Sequence, residues 1–129
     1  MSTLKTGKVK TTTIADELDT ESTAVTNVIN GSAKAWVNYI GSTNTINGSF
    51  NVTSVTDRAT GKFTVNFTNA MEDTNYCAVG AIGIYSTSNQ DFPVQGPALV
   101  RDSASSLFVA TGSNTTSLVD SEFYVAIFR

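Results

Sequence analysis

Lys62-Phe63-Thr64-Val65-Asn66-Phe67 is the stretch on which the fold turns. Phe63, Val65 and Phe67 recur at every second position, with Thr64 and Asn66 between them. Successive side chains of an extended chain point to opposite faces, so this spacing predicts a strand with one apolar and one polar face. Just before it, Asp57-Arg58-Ala59-Thr60-Gly61 reads as a polar turn, and Ser49-Phe50-Asn51-Val52-Thr53 as an alternating strand. The segment from Val52 to Val65 is therefore expected to form a hairpin.

The same signals recur on either side. Ala35-Trp36-Val37-Asn38-Tyr39-Ile40 is an aromatic and β-branched run ended by Gly41. Tyr76 to Tyr85 is a longer apolar run interrupted by Gly80, Ala81 and Gly83. Glycine inside a strand marks a bend or a close backbone approach. Residues 98–102 and 106–111 read as two more strands, and Glu122-Phe123-Tyr124-Val125-Ala126-Ile127-Phe128 as the last. Polar loops separate them at Ser86 to Gly96 and at Thr111 to Ser117. Short strands spaced by turns predict an all-β fold, an antiparallel β-sandwich, jelly-roll-like, of about six to eight strands, or else a compact barrel. Strand–helix–strand alternation is absent, which disfavours a parallel α/β sheet.

Composition agrees. The chain has 129 residues, one domain's worth, with 40% apolar and 15% charged residues. That charged share is well below the ~25% usual in soluble domains. Thr, Ser, Asn and Gly take its place, which suits strands and tight turns better than exposed helices. The character changes near residue 33. Residues 1–32 hold no aromatic side chain, an acidic cluster (Asp16, Glu17, Asp19, Glu21) and three lysines, Lys5, Lys8 and Lys10. The reading is an extended N-terminal arm over 1–32 and a β-sandwich over 33–129. Ile14, Leu18, Val25, Val28 and Ile29 have weak helical spacing, but their β-branched content opposes a stable helix.

Several function classes are excluded or disfavoured by residue type. A net charge of −3 leaves no basic surface for nucleic acid. There is no histidine, which removes the commonest general base and transition-metal ligand. The one cysteine, Cys77, lies in an apolar run and is expected to be a buried, inert thiol. No apolar stretch approaches the ~20 residues that cross a bilayer, so membrane insertion is not expected. The N-terminus lacks a signal-peptide core, and a cytoplasmically made, soluble protein is expected. The acidic cluster lacks the spacing of a calcium loop and reads as a solvated turn. Asp57, Glu72, Asp73, Asp91, Asp102, Asp120 and Glu122 are carboxylates of the type that cleaves glycosidic bonds, but no spacing singles out a pair. Serine and threonine lack an activating base. No catalytic residue, cofactor or metal ligand is assigned, and an enzyme is not expected.

Two binding regions remain. The final strand is apolar on both faces, with Phe123, Val125 and Ile127 on one and Tyr124, Ala126 and Phe128 on the other. A sandwich strand should carry polar residues on its solvent face. Either the N-terminal arm covers the second face or another subunit does, and the subunit is favoured. The candidate oligomer interface is Phe123, Tyr124, Val125, Ile127 and Phe128, with Tyr124 and Phe128 expected to touch a neighbouring chain. Trp36, Tyr39, Tyr76, Tyr85 and Tyr124 suit sugar stacking by type, but inside strands they read first as core. The loops are better ligand candidates, at Ser88, Asn89, Gln90, Asp91, Asn114 and Thr115.

A longer pattern runs through these elements. It comprises Ala33-Lys34-Ala35-Trp36-Val37-Asn38, Ser49-Phe50-Asn51-Val52, Asp57, Gly61, Phe63-Thr64-Val65-Asn66-Phe67-Thr68 and Ala70-Met71-x-Asp73-x-Asn75-Tyr76. The ending, Leu118-Val119-Asp120-Ser121 through Val125-Ala126-Ile127-Phe128-Arg129, belongs with it. Together they resemble the C-terminal domain of bacteriophage tail-fibre proteins, as in cyanophages and other phages of aquatic bacteria. The resemblance covers residues 33–129 well and 1–32 loosely, and loops 86–97 and 111–117 fall outside it. It implies a virion protein, made in the bacterial host cytoplasm, that assembles as a homotrimer. It also implies contact with the host surface, through lipopolysaccharide or another surface glycan, which makes the loop residues above receptor-facing. The arm over 1–32 is then expected to attach the domain to other virion proteins by strand addition. A capsid decoration or tail accessory protein without a host ligand is the alternative, and a glycan depolymerase with carboxylates at a subunit seam a third.

Overall fold

The computed structural model describes residues 7, 11–15, 22–83, 96–114 and 117–129. Its contacts fall into two compact units, Met1–Ser32 and Ala33–Arg129. In the first, β1 (Thr13–Ala15) and β2 (Ser22–Ala24) pair antiparallel, and α1 (Val25–Gly31) follows directly. The described part of this unit is therefore a small hairpin and a helix, where an extended arm is the sequence expectation. Ser32 closes the helix, its N–H and hydroxyl both donating to the Val28 carbonyl. That C-terminal closure satisfies a carbonyl which β-branched propensity alone leaves open.

The second unit is an antiparallel sandwich. Its strands are β3 (Ala35–Ile40), β4 (Thr45–Phe50), β5 (Val52–Ala59), β6 (Lys62–Phe67), β7 (Cys77–Gly83), β8 (Ala98–Ser103), β9 (Ser106–Ala110), β10 (Gly112–Asn114), β11 (Ser117–Leu118) and β12 (Glu122–Phe128). Sheet I has the order β4-β3-β12-β7 and sheet II the order β5-β6-β9-β8. Strands β10 and β11 form a separate short hairpin, where the sequence reads as plain loop. The pairs β3–β4, β5–β6 and β8–β9 are hairpins within one sheet, so the wiring departs from strict jelly-roll alternation between sheets.

The core lies where the alternation puts it. Ala35, Val37 and Tyr39 of β3 and Phe123, Val125 and Ile127 of β12 face Phe63, Val65 and Phe67 of β6 and Leu107 and Val109 of β9. Tyr39, Phe63 and Phe123 form a three-ring cluster with centroids 5.3–5.5 Å apart. Tyr76 is also buried, and its hydroxyl donates to the carbonyls of Ser103 and Ser106. That bond is what lets a phenol sit inside an apolar core.

Two local features differ from the sequence reading. Ser49 to Thr53 is not one strand. Asn51 adopts φ 55°, and the chain passes there from sheet I to sheet II. Asparagine tolerates the left-handed region better than other residues with a Cβ. Its side chain fixes the crossing, donating to the carbonyls of Lys34 (3.0 Å) and Asn69 (3.1 Å) and accepting from the Asn69 N–H (2.8 Å). The polar stretch 57–61 is not all turn either. Asp57-Arg58-Ala59 continues β5, and reversal is confined to Thr60-Gly61. β5 is an edge strand of sheet II, where polar residues meet water and so mimic a turn.

Candidate functional site

The residues assigned to an interface divide between two environments. Register places Phe123 opposite Tyr39, Val125 opposite Val37, and Ile127 opposite Ala35, all pointing into the sandwich. All three are buried, so they are core residues and cannot meet a second chain without opening the fold. This corrects the assignment for Phe123, Val125 and Ile127. Period-two geometry requires it, since one strand cannot present both faces to one partner. Tyr124 lies on the outer face and is 40% exposed, and Phe128 is half-buried there.

That outer face is larger than β12 alone suggests. Trp36 pairs with Ala126 on one side and with Phe50 on the other. Tyr124 pairs with Asn38 and Ala81, and Ala126 with Val79. Trp36, Phe50 and Val79 are 42%, 54% and 48% exposed. A shallow groove lined by Trp36, Asn38, Val79, Ala81, Tyr124 and Ala126 runs across the two central strands. Small residues form its floor and aromatic rings its walls. The Trp36 ring lies over Gly48, where a Cβ would come within 3.3 Å of it. Charge is confined to the rim, at Glu122, which accepts a hydrogen bond from the Tyr124 hydroxyl. That bond, followed by desolvation and the carboxylate's charge, raises the phenol's pKa above its ordinary value.

Alternation within each strand carried a signal for this face. Trp36, Asn38 and Ile40 fall opposite Ala35, Val37 and Tyr39, so Trp36 must leave the core if the other three enter it. Pairing β3, β4 and β7 around β12 is long-range, however, and the sequence holds no cue that brings Phe50 and Val79 beside Trp36.

Cys77 is exposed, against the expectation of burial. It begins β7, an edge strand of sheet I, and pairs with Phe128 on the outer face. Apolar neighbours in sequence belong to the opposite face here. Of the five aromatic residues considered for sugar stacking, Tyr39 and Tyr76 are buried, and Tyr85 lies outside the described residues. Trp36 and Tyr124 share the exposed face.

The loop residues Ser88, Asn89, Gln90, Asp91 and Thr115 lie outside the described residues, as do the acidic cluster and the three N-terminal lysines. Asn114 ends β10. Of the described carboxylates, Glu72 and Asp73 meet at Arg129, at 3.7 and 2.7 Å. Asp57 accepts from Asn44, Asp120 from the Gly61 N–H, and Asp102 faces Arg58 and Ser106. Asp73 accepts from Asn75 and Arg129. Among the described residues, no group of three or more metal-ligating side chains comes together. Within the same residues, no helix is long and apolar enough to cross a membrane.

No protein-family model, curated protein or solved structure matches this chain.

Proposed function

We propose that this chain is a bacteriophage virion protein, a tail-fibre or receptor-binding component that works as a homotrimer and contacts the host cell surface. The motif set from Ala33 to Tyr76 and the ending through Arg129 support the family reading. The observation that carries it into function is the outer face of sheet I. Trp36, Phe50, Val79 and Tyr124 stand exposed on one surface whose charge is confined to Glu122 at its rim. Interface cores are depleted in charge and enriched in aromatic residues, and this face has that composition. It is an assembly surface, which a fibre or fibre tip requires and a solitary domain does not. Many copies on one particle turn weak single contacts with a cell-surface glycan into firm adhesion.

Adsorption tests the reading. The purified protein is expected to bind host cells and to reduce phage adsorption in competition. Failure to do either removes the host-contact role. Immunogold labelling of virions separates this reading from a capsid decoration built on the same sandwich and face. Label at the tail supports the fibre, and label over the capsid lattice supports the decoration.

A further inference from the structure

The dipeptide Asn-Gly occurs twice, at Asn30-Gly31 and at Asn47-Gly48. It is the step most prone to spontaneous deamidation, because glycine has no Cβ to keep its backbone nitrogen away from the preceding side chain. Neither a helical nor a strand backbone brings that nitrogen onto Cγ of the asparagine. Whether a given step reacts is therefore decided by how readily its backbone leaves the native conformation.

The two steps differ in that respect. Gly48 lies in β4, half-buried, paired with Asn38 of β3 and beneath the Trp36 ring. Asn47 is the residue left over where the β3–β4 register shifts, but the glycine after it is held in the ladder. Moving its nitrogen means parting β4 from the sandwich. Asn30 and Gly31 end α1 instead. No residue of this helix is buried, nor is any described residue of the first unit. Its seven residues fall short of the ~12–15 that sustain a helix without tertiary packing. Ala24 offers its first turn no side-chain cap. A Cβ on Gly31 would meet nothing within 4 Å, and its φ lies outside the left-handed region, so the fold itself does not call for glycine there.

We propose that Asn30 is a self-modification site, converted in the folded protein to aspartate and isoaspartate while Asn47 is spared. The inference stands apart from the function proposed above. The backbone nitrogen of Gly31 loses its proton and attacks Cγ of Asn30. The N–Cγ bond forms, the Cγ–Nδ2 bond breaks, and Nδ2 takes up that proton and leaves as ammonia, closing a cyclic imide. One water then adds to either imide carbonyl and breaks its bond to the Gly31 nitrogen, which regains a proton. Addition at the side-chain carbonyl gives aspartate, and addition at the main-chain carbonyl gives isoaspartate, whose main chain runs through Cγ. Water enters and ammonia leaves, and no other reactant is needed. Either product puts a carboxylate at the C-terminal end of α1, the wrong sign for the helix dipole. Isoaspartate also lengthens the main chain between Val28 and Ser32, the two residues whose hydrogen bond closes the helix. The change falls just before the border of the two units, so it loosens α1 and leaves the sandwich intact.

The test uses the full chain, aged in its folded state at mildly alkaline pH. Trypsin separates the two steps, because Lys10, Lys34 and Arg58 place them on the peptides 11–34 and 35–58. Mass spectrometry is expected to show amide-to-acid exchange on 11–34 at least ~10-fold faster than on 35–58, a ratio that a difference of ~1.4 kcal/mol in local opening supplies. An isoaspartyl methyltransferase should label the first peptide and not the second. The rate should rise with pH, because the attacking nitrogen must lose its proton. Gly31→Ala is expected to slow the exchange on 11–34 by at least ~10-fold, with an unchanged denaturation midpoint. In the urea-unfolded chain the two peptides are expected to convert at similar rates. Equal rates in the folded protein, an amide retained on 11–34, or no slowing by Gly31→Ala each overturn the proposal. So does a difference that persists in urea, since sequence and not fold would then spare Asn47.

Discussion

At the scale of single residues, tight turns and paired ends hold the sandwich. Gly61 turns the β5–β6 hairpin at φ +65°. A Cβ there would come within 2.5 Å of the Thr111 carbonyl oxygen and 2.8 Å of the Val119 nitrogen. The turn is also tied down by hydrogen bonds, since the Gly61 N–H donates to Asp120 and its carbonyl accepts from the Thr111 N–H. Gly61→Ala is therefore expected to cost about 1–3 kcal/mol by chemical denaturation. Asp73 makes a prediction about pH. Hydrogen bonds from the Asn75 backbone and side chain, with Arg129 at 2.7 Å, hold its carboxyl below the ordinary aspartate range despite some desolvation. A depressed folded pKa gives stability that is present above the unfolded value and is lost as pH falls through the folded one. The melting temperature of the parent chain should exceed that of Asp73→Asn at neutral pH. The difference should close as pH drops below the usual aspartate range, and a gap that is constant with pH would contradict this role.

At the scale of elements, β12 is the centre of sheet I, paired with β3 on one side and β7 on the other. Its inner residue Phe123 packs in tilted contact with Tyr39 and Phe63. Phe123→Ala is expected to destabilise the domain by about 3–5 kcal/mol, read as a shifted denaturation midpoint. Tyr124→Ala, one position away on the outer face, should leave the monomer's midpoint nearly unchanged and weaken assembly instead. This contrast between neighbours separates the core from the interface. The fold itself was legible wherever a strand has one wet and one dry face. β6 follows directly from alternation at 62–67, while β3 and β12 follow from the aromatic and β-branched runs at 35–40 and 122–128. Reading failed where water or a side-chain bond replaced that contrast. The edge position of β5 disguised Asp57-Arg58-Ala59 as turn, and Asn51 broke an apparent strand through bonds to Lys34 and Asn69, far away in sequence. Cys77 was misplaced because an apolar run does not say which face is covered. Half of the exposed apolar face was visible in Tyr124 and Phe128, and Trp36, Phe50 and Val79 joined it only through long-range pairing.

At the scale of the whole molecule, the sandwich has two unlike outer faces. Sheet II shows water Ser54, Thr56, Asn66 and an Arg58–Asp102 ion pair, with hydroxyls and amides bonded to one another across strands, and a single large exposed apolar side chain, Val100, among its described residues. Sheet I shows it aromatic and aliphatic groups, with Glu122 at the rim. On the proposed reading, the aromatic face of sheet I is the one that meets further copies. A few anchors there should carry most of the association energy, as is usual of interfaces rich in tryptophan and tyrosine. Sedimentation equilibrium of the full chain, beside Trp36→Lys, addresses this most directly. The parent protein is predicted to sediment as a multiple of 13.6 kDa at micromolar concentration, and Trp36→Lys as a folded monomer. A parent protein that remains at 13.6 kDa across the whole concentration range would contradict the account.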